Sequence, residues 1–422
     1  MKKTNTTLSE ITAEAEFTKN KIIEKRNDLK AILASKNLDV GSKNTFTDLI
    51  NEIEKLGAMP PVYGISVNED YPEDVTTEQK EQAVTYTKAS VGLTPAKISA
   101  LNSWENIYPY SKMRVVGFKD GEVYKEIKKE NFKQYVDGTT VGTDVDVMIE
   151  IPKVYWKFET TEKGYNVSMA SYKAGEGFEC LAHTVGKTEK DFIYIGAYIG
   201  TYQNNKPRSI TGVAPGTSSR ETLRESIKGT GYQLFNYYSF LLLQILYLFA
   251  YKHLDSQIAF GSGSASQSYS GGTDLKGFNY GANGQQIKFL GVESLWGEGV
   301  NIFLDGICLL KNNNISLSNN SIFNNTGEGY EEIVMNSFTS GWIRKVQGGN
   351  KSGFLPKQAG RGSACLYSDY GRCSDKMKLV TTSGGNMPDG IFSLSSSDYY
   401  TEIATIWFRL VFLGTDNGKV KG

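Results

Sequence analysis

The hydrophobic pattern begins with a long, narrow apolar stripe near the amino terminus. Residues 8 to 36 contain neither proline nor glycine. Eight positions, six of them apolar, recur there at alternating spacings of three and four and form the stripe. This is the heptad spacing of a coiled coil, which Thr18 and Lys25 weaken. So narrow a stripe predicts a helix that needs partner helices. Its members are Leu8, Ile11, Ala15, Thr18, Ile22, Lys25, Leu29 and Ile32.

A second, shorter helix is predicted after the turn NLDVGSKN. Thr45 followed by Asp48 approximates a capping box, and Gly57 with Pro60-Pro61 ends the helix. Its apolar face consists of Phe46, Leu49, Ile53 and Leu56. Two short helices bury too little surface to stand alone, so we predict that residues 1–58 form a helical oligomerisation and attachment segment. An intramolecular helical hairpin is the alternative.

Beyond Met59-Pro60-Pro61 the pattern shortens to strands and turns. YGISVNED indicates a strand, and MRVVGFKDGEVYKEI is typical of a hairpin whose turn is KDGE. We predict a small α+β connector over residues 62–140, without residues that carry chemistry.

Residues 141–422 are predicted to form one larger domain of short strands, few helices and irregular loops. DVMIEIPKVYWKF and DFIYIGAYIGTY indicate strands, and Gly, Ser and Asn dominate beyond Leu254. The Asn-rich stretch from Asn312 to Asn325 also contains isolated apolar residues, which favours strands and turns within a domain over a linker. The fold class predicted for the whole chain is α+β.

The most apolar stretch of the chain runs from Phe235 to Leu254. It contains Asn236, Gln244 and several tyrosines. Its purely apolar part is shorter than the roughly 20 residues that cross a bilayer. We predict a buried core helix and no membrane insertion.

Composition narrows the possible partners and compartments. The 46 Lys and Arg residues balance the 46 Asp and Glu residues, so a basic surface for nucleic acid is not expected. The amino terminus lacks the apolar region of a signal peptide. Four cysteines are too few for a disulfide-stapled scaffold of this length. We therefore expect synthesis and folding in a cytoplasm.

Groups that could carry catalysis are few. The chain has two histidines, and neither lies in a nucleophile motif. His253 follows the apolar helix and is expected to cap it, and His183 is expected to be structural as well. Paired carboxylates for glycoside hydrolysis stay open as an alternative, with Glu293, Glu298 and Asp305 as candidates. We expect Asp305 to form a turn with Gly306, and Glu293 to hydrogen-bond the loop around Trp296.

Aromatic residues concentrate near the carboxyl terminus among Ser, Gly and Asn. This mixture is typical of recognition surfaces, because rigid rings supply contact area and small polar residues supply adaptable hydrogen bonds. The alternative for each ring is a place in the core of a loop-rich domain. The ligand-binding candidates are Trp342, Tyr367, Tyr370, Tyr399 and Tyr400.

Several stretches, in order, resemble phage tail and receptor-binding proteins of low-GC, clostridial-type Gram-positive hosts. The resemblance implies a C-type-lectin-like distal domain, a fold shared with formylglycine-generating enzymes, and amino-terminal helices that trimerise and attach to the particle. It also implies ligand contacts before the last strand, in the stretch from Trp342 to Tyr400. The matching stretches are EKRNDLKAILASKN, TFTDLINEIEKL, VDVMIEIPKVYWKF, IYIGAYIGTY, FLLLQILYLFA with DSQIAFGSG, LGVESLWGEGVNIFLDGI and FRLVFLG.

The formylglycine-generating oxidases bind copper through two closely spaced cysteines, which makes Cys365 and Cys373 worth testing. They lie eight positions apart, wider than that family's pair, and the chain has no zinc-binding spacing. We expect small buried apolar side chains instead. No metal or cofactor is predicted.

The sequence therefore predicts a non-catalytic receptor-binding protein of a phage tail or tail-like bacteriocin, acting as a homotrimer in the virion tail. Its partners would be a receptor on the bacterial surface, either a glycan or a protein, and other tail or baseplate proteins. One alternative is a structural baseplate or fibre component that contacts only virion proteins. The other is an enzyme, an oxidase or a depolymerase, on the same fold.

Overall fold

The chain forms two compact units, residues 1–61 and 62–422. The division falls at Met59-Pro60-Pro61, where the sequence predicts a boundary. The computed structural model describes residues 8–34, 45, 47–49, 59–264, 269–297, 302–310, 314–335, 338–373, 380–382, 389–396 and 406–413.

Unit 1, residues 1–61, contains the predicted long helix, α1 (Leu8–Ala34). Phe17, Ile22 and Ile32 on this helix are 61%, 51% and 58% exposed. Ile22 and Ile32 belong to the predicted apolar stripe. Since burial of such side chains is favourable, one copy of α1 leaves much of its stabilising surface unused.

The start of the second helix is also as predicted. Residues 47–49 are helical. The Asp48 N–H donates to Thr45 Oγ1 at 3.0 Å, and the Thr45 N–H donates to Asp48 Oδ2 at 3.2 Å. These reciprocal bonds are those of a capping box, so the predicted cap is confirmed.

Unit 2, residues 62–422, is built mainly from short strands. In chain order the first are β1 (Tyr63–Asn68), β2 (Val84–Lys88), β3 (Arg114–Lys119), β4 (Glu122–Lys128), β5 (Asn131–Tyr135), β6 (Asp146–Pro152), β7 (Tyr155–Thr160), β8 (Gly164–Ala170), β9 (Thr184–Val185), β10 (Thr188–Glu189), β11 (Phe192–Gly196), β12 (Thr201–Gln203), β13 (Lys206–Arg208), β14 (Thr217–Ser218) and β15 (Tyr232–Leu234). The others are β16 (Lys288–Phe289), β17 (Val292–Glu293), β18 (Ile307–Leu309), β19 (Ile315–Leu317), β20 (Glu331–Ile333), β21 (Ser340–Val346), β22 (Pro356–Gly360), β23 (Tyr370–Arg372), β24 (Val380–Thr382), β25 (Leu394–Ser396), β26 (Ile406–Trp407) and β27 (Leu410–Phe412).

The helices of unit 2 are α2 (Thr77–Gln82), α3 (Arg220–Ile227), α4 (Tyr237–Tyr251) and α5 (Ser256–Ala259), with short 3₁₀ turns at Asn102–Asn106, Tyr110–Lys112 and Leu181–His183. Together with the sheets they make the fold α+β, which confirms the predicted fold class. The predicted strands and turns between Asn312 and Asn325 are confirmed in part, since β19 lies there.

Three sheets organise unit 2. The largest has the strand order β15-β27-β11-β6-β3-β4-β5, and its pairings are antiparallel. A four-stranded sheet has the order β2-β1-β8-β7, and a five-stranded sheet has the order β22-β21-β23-β25-β24. The β3–β4 connection is the predicted KDGE turn, in which Asp120 and Gly121 have φ values of 52° and 83°. Two positive φ values in a two-residue loop define a type I′ hairpin, so this prediction is confirmed.

The sequence-based boundary at residue 140 is wrong, because strands from both sides of it share sheets. β1 pairs with β8, and β3 pairs with β6. The ammonium of Lys80 on α2 also lies 2.8 Å from Asp255 Oδ2, and both side chains are buried. Residues 62–140 are therefore part of the same body as the rest of unit 2.

Helix α4 forms the centre of the core, as its apolar sequence predicts. All its residues are buried. Asn236 caps its start by accepting from the Ser239 N–H at 2.9 Å. Tyr247 packs edge-on against Trp296 and Phe392, with ring centroids 6.2 and 5.7 Å away. Among the helices that the structure describes, none combines the length and apolar character needed to cross a membrane.

Candidate functional site

Two of the predicted ligand-binding residues meet on the five-stranded sheet. Trp342 on β21 lies directly opposite Tyr370 on β23 and Gly360 on β22. Directly opposite side chains in an antiparallel pair lie on the same face, so the two rings are neighbours. Their centroids are 5.6 Å apart with the planes at 90°, and both residues are partly exposed.

Gly360, opposite Trp342, packs against the Cys365 side chain. A Cβ at this position would lie 2.2 Å from Cys365 Sγ and 3.6 Å from Arg344 Cβ. The first distance is a severe clash, so a larger residue here would displace the Cys365 side chain. The second distance shows that Arg344 flanks the same pair of residues.

Arginines border the two rings. Arg344 donates to the Tyr71 carbonyl oxygen at 2.8 Å, and its Nη1 lies 3.8 Å from Glu73 Oε1. Arg372 follows Tyr370 by two positions and is exposed. Alternate residues of a strand lie on one face, so Arg372 borders the rings at the other end. We refer to Trp342, Tyr370, Arg344 and Arg372 as the aromatic face.

The polar ends of the two rings are available to a ligand. Neither the indole Nε1 of Trp342 nor the hydroxyl of Tyr370 forms a hydrogen bond with any described residue. Buried indole and phenol groups normally find such partners inside the protein. The aromatic face therefore presents apolar ring surface together with two unused hydrogen-bonding groups.

Tyr367 lies in the core, so it is a correction to the predicted set. It is fully buried, and its hydroxyl donates to Glu69 Oε1 at 2.7 Å. Its oxygen also lies 2.9 Å from the hydroxyl of Tyr165. A ring with no exposed surface does not contact an external ligand. Tyr399 and Tyr400, the other two candidates, lie outside the described residues.

Glu69 supports the aromatic face from below. The same Oε1 atom accepts from the Val346 N–H at 3.0 Å, which fixes the end of β21. Burial raises the pKa of Glu69 to about 7, against the lowering effects of its bonds to Tyr367 and Val346 and of the positive charges on Lys345 and Lys357. The carboxyl group therefore changes charge near neutral pH.

Both histidines are buried and bond to backbone groups. The Nε2–H of His183 donates to the Ile151 carbonyl oxygen at 3.2 Å, and burial lowers the pKa of this histidine to about 4. His253 Nδ1 accepts from the Asp255 N–H at 3.0 Å. The C-cap of α4 is Lys252, with a φ of 53°, so the expectation that His253 caps the helix is wrong.

The cysteines are separate buried thiols. Cys180, Cys308, Cys365 and Cys373 are all free and buried. Burial raises the pKa of Cys365 and that of Cys373, which disfavours the thiolates that a soft metal needs. Across the part of the chain that the structure describes, no group of three or more His, Cys, Asp or Glu could hold a metal ion.

The carboxylates weighed for glycoside hydrolysis serve structural bonds. Glu293 accepts from the N–H groups of Gly271 and Thr273, both at 2.8 Å, so its predicted bond to the Trp296 loop is wrong. Asp305 forms a two-pronged ion pair with Arg224 at 2.9 and 2.6 Å, and its predicted turn with Gly306 is present. Glu298 lies outside the described residues.

The sequence reasoning missed Arg344, Arg372, Gly360 and Glu69. The first two could have been found because each follows a candidate ring by two positions, Arg344 after Trp342 and Arg372 after Tyr370, and alternate residues of a strand lie on one face. Glu69 could not, because it bonds to Tyr367 and Val346, far away in the chain, and Gly360 could not, because its role depends on which strand pairs with β21. Compared with models of protein families and with curated protein sequences, the chain matches none of either.

Proposed function

We propose that this chain is a receptor-binding protein of a phage tail or tail-like bacteriocin, and that it adheres to the bacterial surface through the aromatic face without catalysis. The observation that carries the proposal is the perpendicular Trp342–Tyr370 pair, partly exposed on a hydrogen-bonded sheet. Rigid rings on a fixed support lose little conformational entropy on binding.

The chemistry of the face suits a glycan or a polar protein surface. The ring faces can stack on apolar patches of a ligand, while the Trp342 Nε1–H and the Tyr370 hydroxyl can bond its polar groups. Tryptophan, tyrosine and arginine are also the residues most enriched among the dominant contacts of interfaces. Arg344 and Arg372 would add charge-assisted hydrogen bonds at the rim.

The support is proposed to be a C-type-lectin-like domain. The resemblance implies that such a domain closes with an apolar terminal strand, and here β27 lies inside the largest sheet between β15 and β11. The proposed ligand contacts precede that strand in the chain, as they do in the proteins that this chain resembles.

Adhesion of this kind gains from several copies. We propose that the exposed stripe of α1 joins three chains, since its Ile22 and Ile32 are largely uncovered in one copy. Three weak sites on one trimer, and many trimers on one particle, bind far more tightly than one site.

The test measures binding of the fluorescently labelled full chain to intact cells from a panel of low-GC Gram-positive species. Trp342→Ala and Tyr370→Ala should each weaken binding about fivefold or more, because truncating a central aromatic contact costs over about 1 kcal/mol. Tyr124→Ala is the matched control, since Tyr124 is a 53% exposed ring on β4, in another sheet. It should bind as the unchanged protein does.

Two results would contradict the proposal. Folded protein that binds no species of the panel would favour the structural baseplate or fibre component. Release of soluble sugar fragments from purified cell wall would favour an enzyme on this fold.

A further inference from the structure

A second candidate site is a polar cleft in unit 2, which encloses about 470 Å³. That volume lies within the range of about 300 to 1,000 Å³ typical of small-molecule sites. Its walls include the segment after β8, the β9–β10 hairpin, the first turn of α4 and the turn after β21. Lys351 lies in that last turn, whereas Trp342 lies near the start of β21. The cleft and the aromatic face are therefore at opposite ends of one strand.

Tyr238, in the first turn of α4, lines this cleft. The residue as a whole is only 5% exposed, but its hydroxyl oxygen is not fully buried and forms no hydrogen bond with any residue that the structure describes. The neighbouring Tyr237 hydroxyl, by contrast, donates to the Ser352 carbonyl oxygen at 2.7 Å. The Tyr238 hydroxyl therefore opens into the cleft without a partner among the described residues, and a ligand in the cleft can bond to it.

Acceptors lie near this hydroxyl. Burial, followed by the charges of Glu331 and Glu179, raises the pKa of Tyr238, so the phenol keeps its proton. Both glutamates line the cleft. Glu179 uses its Oε2 to accept from Asn350 Nδ2 at 2.9 Å, and its Oε1 has no partner among the described residues.

The charges in the cleft largely cancel. The ammonium of Lys351 lies 2.5 Å from Glu331 Oε2, and that of Lys153, just outside the lining, lies 3.5 Å from Glu189 Oε2. Paired charges produce little net field, which disfavours a site for a free anion or cation. What the cleft offers is a mixture of donors and acceptors.

Part of the cleft lining is apolar. Phe178, Leu181 and Leu317 form this part, and Phe178 and Leu317 are buried. A pyranose ring has matching properties, because its C–H faces are apolar and its hydroxyls both donate and accept.

We propose that this cleft binds a neutral mono- or disaccharide, with the Tyr238 hydroxyl donating to a sugar hydroxyl and the carboxylates of Glu179 and Glu331 accepting from its neighbours. The proposal goes beyond adhesion through the aromatic face and does not depend on it.

The test uses the full chain and five probes: N-acetylglucosamine, N-acetylgalactosamine, glucose, galactose and rhamnose. Each is added at about 10 mM, because single sugar rings bind weakly, and saturation-transfer NMR detects contact. At least one probe should receive saturation. Tyr238→Phe should weaken the affinity for that probe about tenfold without changing the melting temperature, since its hydroxyl has no partner in the fold.

Tyr237→Phe is the matched control. It removes a hydroxyl from the adjacent ring, so it should lower the melting temperature through the lost bond to Ser352 and leave the sugar affinity unchanged. Glu179→Gln is a second variant, which can still accept from Asn350 but loses its charge, and it should weaken binding severalfold.

Two outcomes would overturn the proposal: saturation of none of the five probes, or equal affinity of Tyr238→Phe and the unchanged protein. Trp342→Ala should retain the sugar affinity. Failure of the cleft and failure of the aromatic face are thus distinguishable.

Discussion

Two regions of unit 2 use polar and aromatic side chains in opposite ways. Around Arg409 and Glu293, charged groups are fully buried and bonded to the chain. Arg409 donates to the carbonyl oxygens of Gly196 and Glu293 at 2.7 and 2.6 Å, which ties β27 to the segments around it. On the aromatic face, the polar ends of Trp342 and Tyr370 bond to none of the described residues, and part of each residue is exposed.

The contrast separates residues that build the fold from residues available to a ligand. The stretch with the most conspicuous sequence, LGVESLWGEGVNIFLDGI, supplies Glu293 and the buried Trp296, whose indole donates to the Gly261 carbonyl oxygen at 3.0 Å. Once these groups are bonded internally, they have little left to offer an external partner. The most conspicuous motif of this sequence thus contributes to the core. The partly exposed rings lie on β21 and β23, whose sequences are less conspicuous.

Among the substitutions that test this contrast, replacement of Arg409 should have the largest effect. Arg409→Ala should lower the free energy of unfolding by about 3–5 kcal/mol, because it leaves two buried carbonyl oxygens without a donor and opens a cavity. Urea titration of the full chain, followed by tryptophan fluorescence, measures the change.

Arg409→Lys is the control for charge. A lysine can reach one of the two carbonyl oxygens but lacks the guanidinium fork, so it should recover part of the loss. If Arg409→Ala unfolds at the same urea concentration as the unchanged protein, the buried network does not stabilise the fold.

A second prediction concerns Glu69, which joins the core to the aromatic face. Burial raises the pKa of Glu69 from 4.5 to about 7. Its contribution to stability is therefore fully present below about pH 4.5 and is lost as the pH rises through 7. Glu69→Gln cannot ionise, so its stability relative to the unchanged protein should rise by up to about 3 kcal/mol between pH 4.5 and pH 8.

The measurement compares urea midpoints of the two proteins across that pH range. Other titrating groups are common to both and cancel in the difference. They include His183, whose lowered pKa of about 4 gives a loss of stability in the opposite direction, as the pH falls. A difference that stays constant with pH would mean that Glu69 is charged in the fold at all these pH values.

Local features of this fold could be predicted from the sequence. The capping box at Thr45, the Asp120-Gly121 turn and the buried helix α4 each depend on residues within a few positions of one another, so their signals are contained in a short window.

Features that depend on distant partners could not be predicted in the same way. Glu293 bonds to Gly271 and Thr273, about twenty positions away, and β1 pairs with β8 about a hundred positions along the chain. The alternation of apolar and polar residues along one strand does not show which other strand pairs with it. The pairing of strands across residue 140 could therefore not be predicted.

The candidate site shows the same limit for two residues that are close in sequence. Tyr367 and Tyr370 are three positions apart in the same polar, aromatic surroundings, and composition treats them alike. Tyr367 precedes β23 and is buried against Glu69 and Tyr165, whereas Tyr370 begins β23 and faces outward beside Trp342. Which of two such rings is buried depends on the sheet to which the strand belongs.

Removing one hydroxyl from each of these tyrosines gives the finest test of the comparison. Tyr367→Phe should cost about 1–3 kcal/mol of unfolding free energy, because the buried Glu69 loses a donor and the Tyr165 hydroxyl loses its acceptor. Tyr370→Phe should change stability by less than about 0.5 kcal/mol, because its hydroxyl has no bond within the described structure to lose. Urea titrations at one pH, chosen below 6 so that Glu69 is mostly protonated in both variants, measure the two values side by side. Equal costs would mean that Tyr370 is as much a part of the core as Tyr367, and the aromatic face would then lose one of its two rings as a ligand contact.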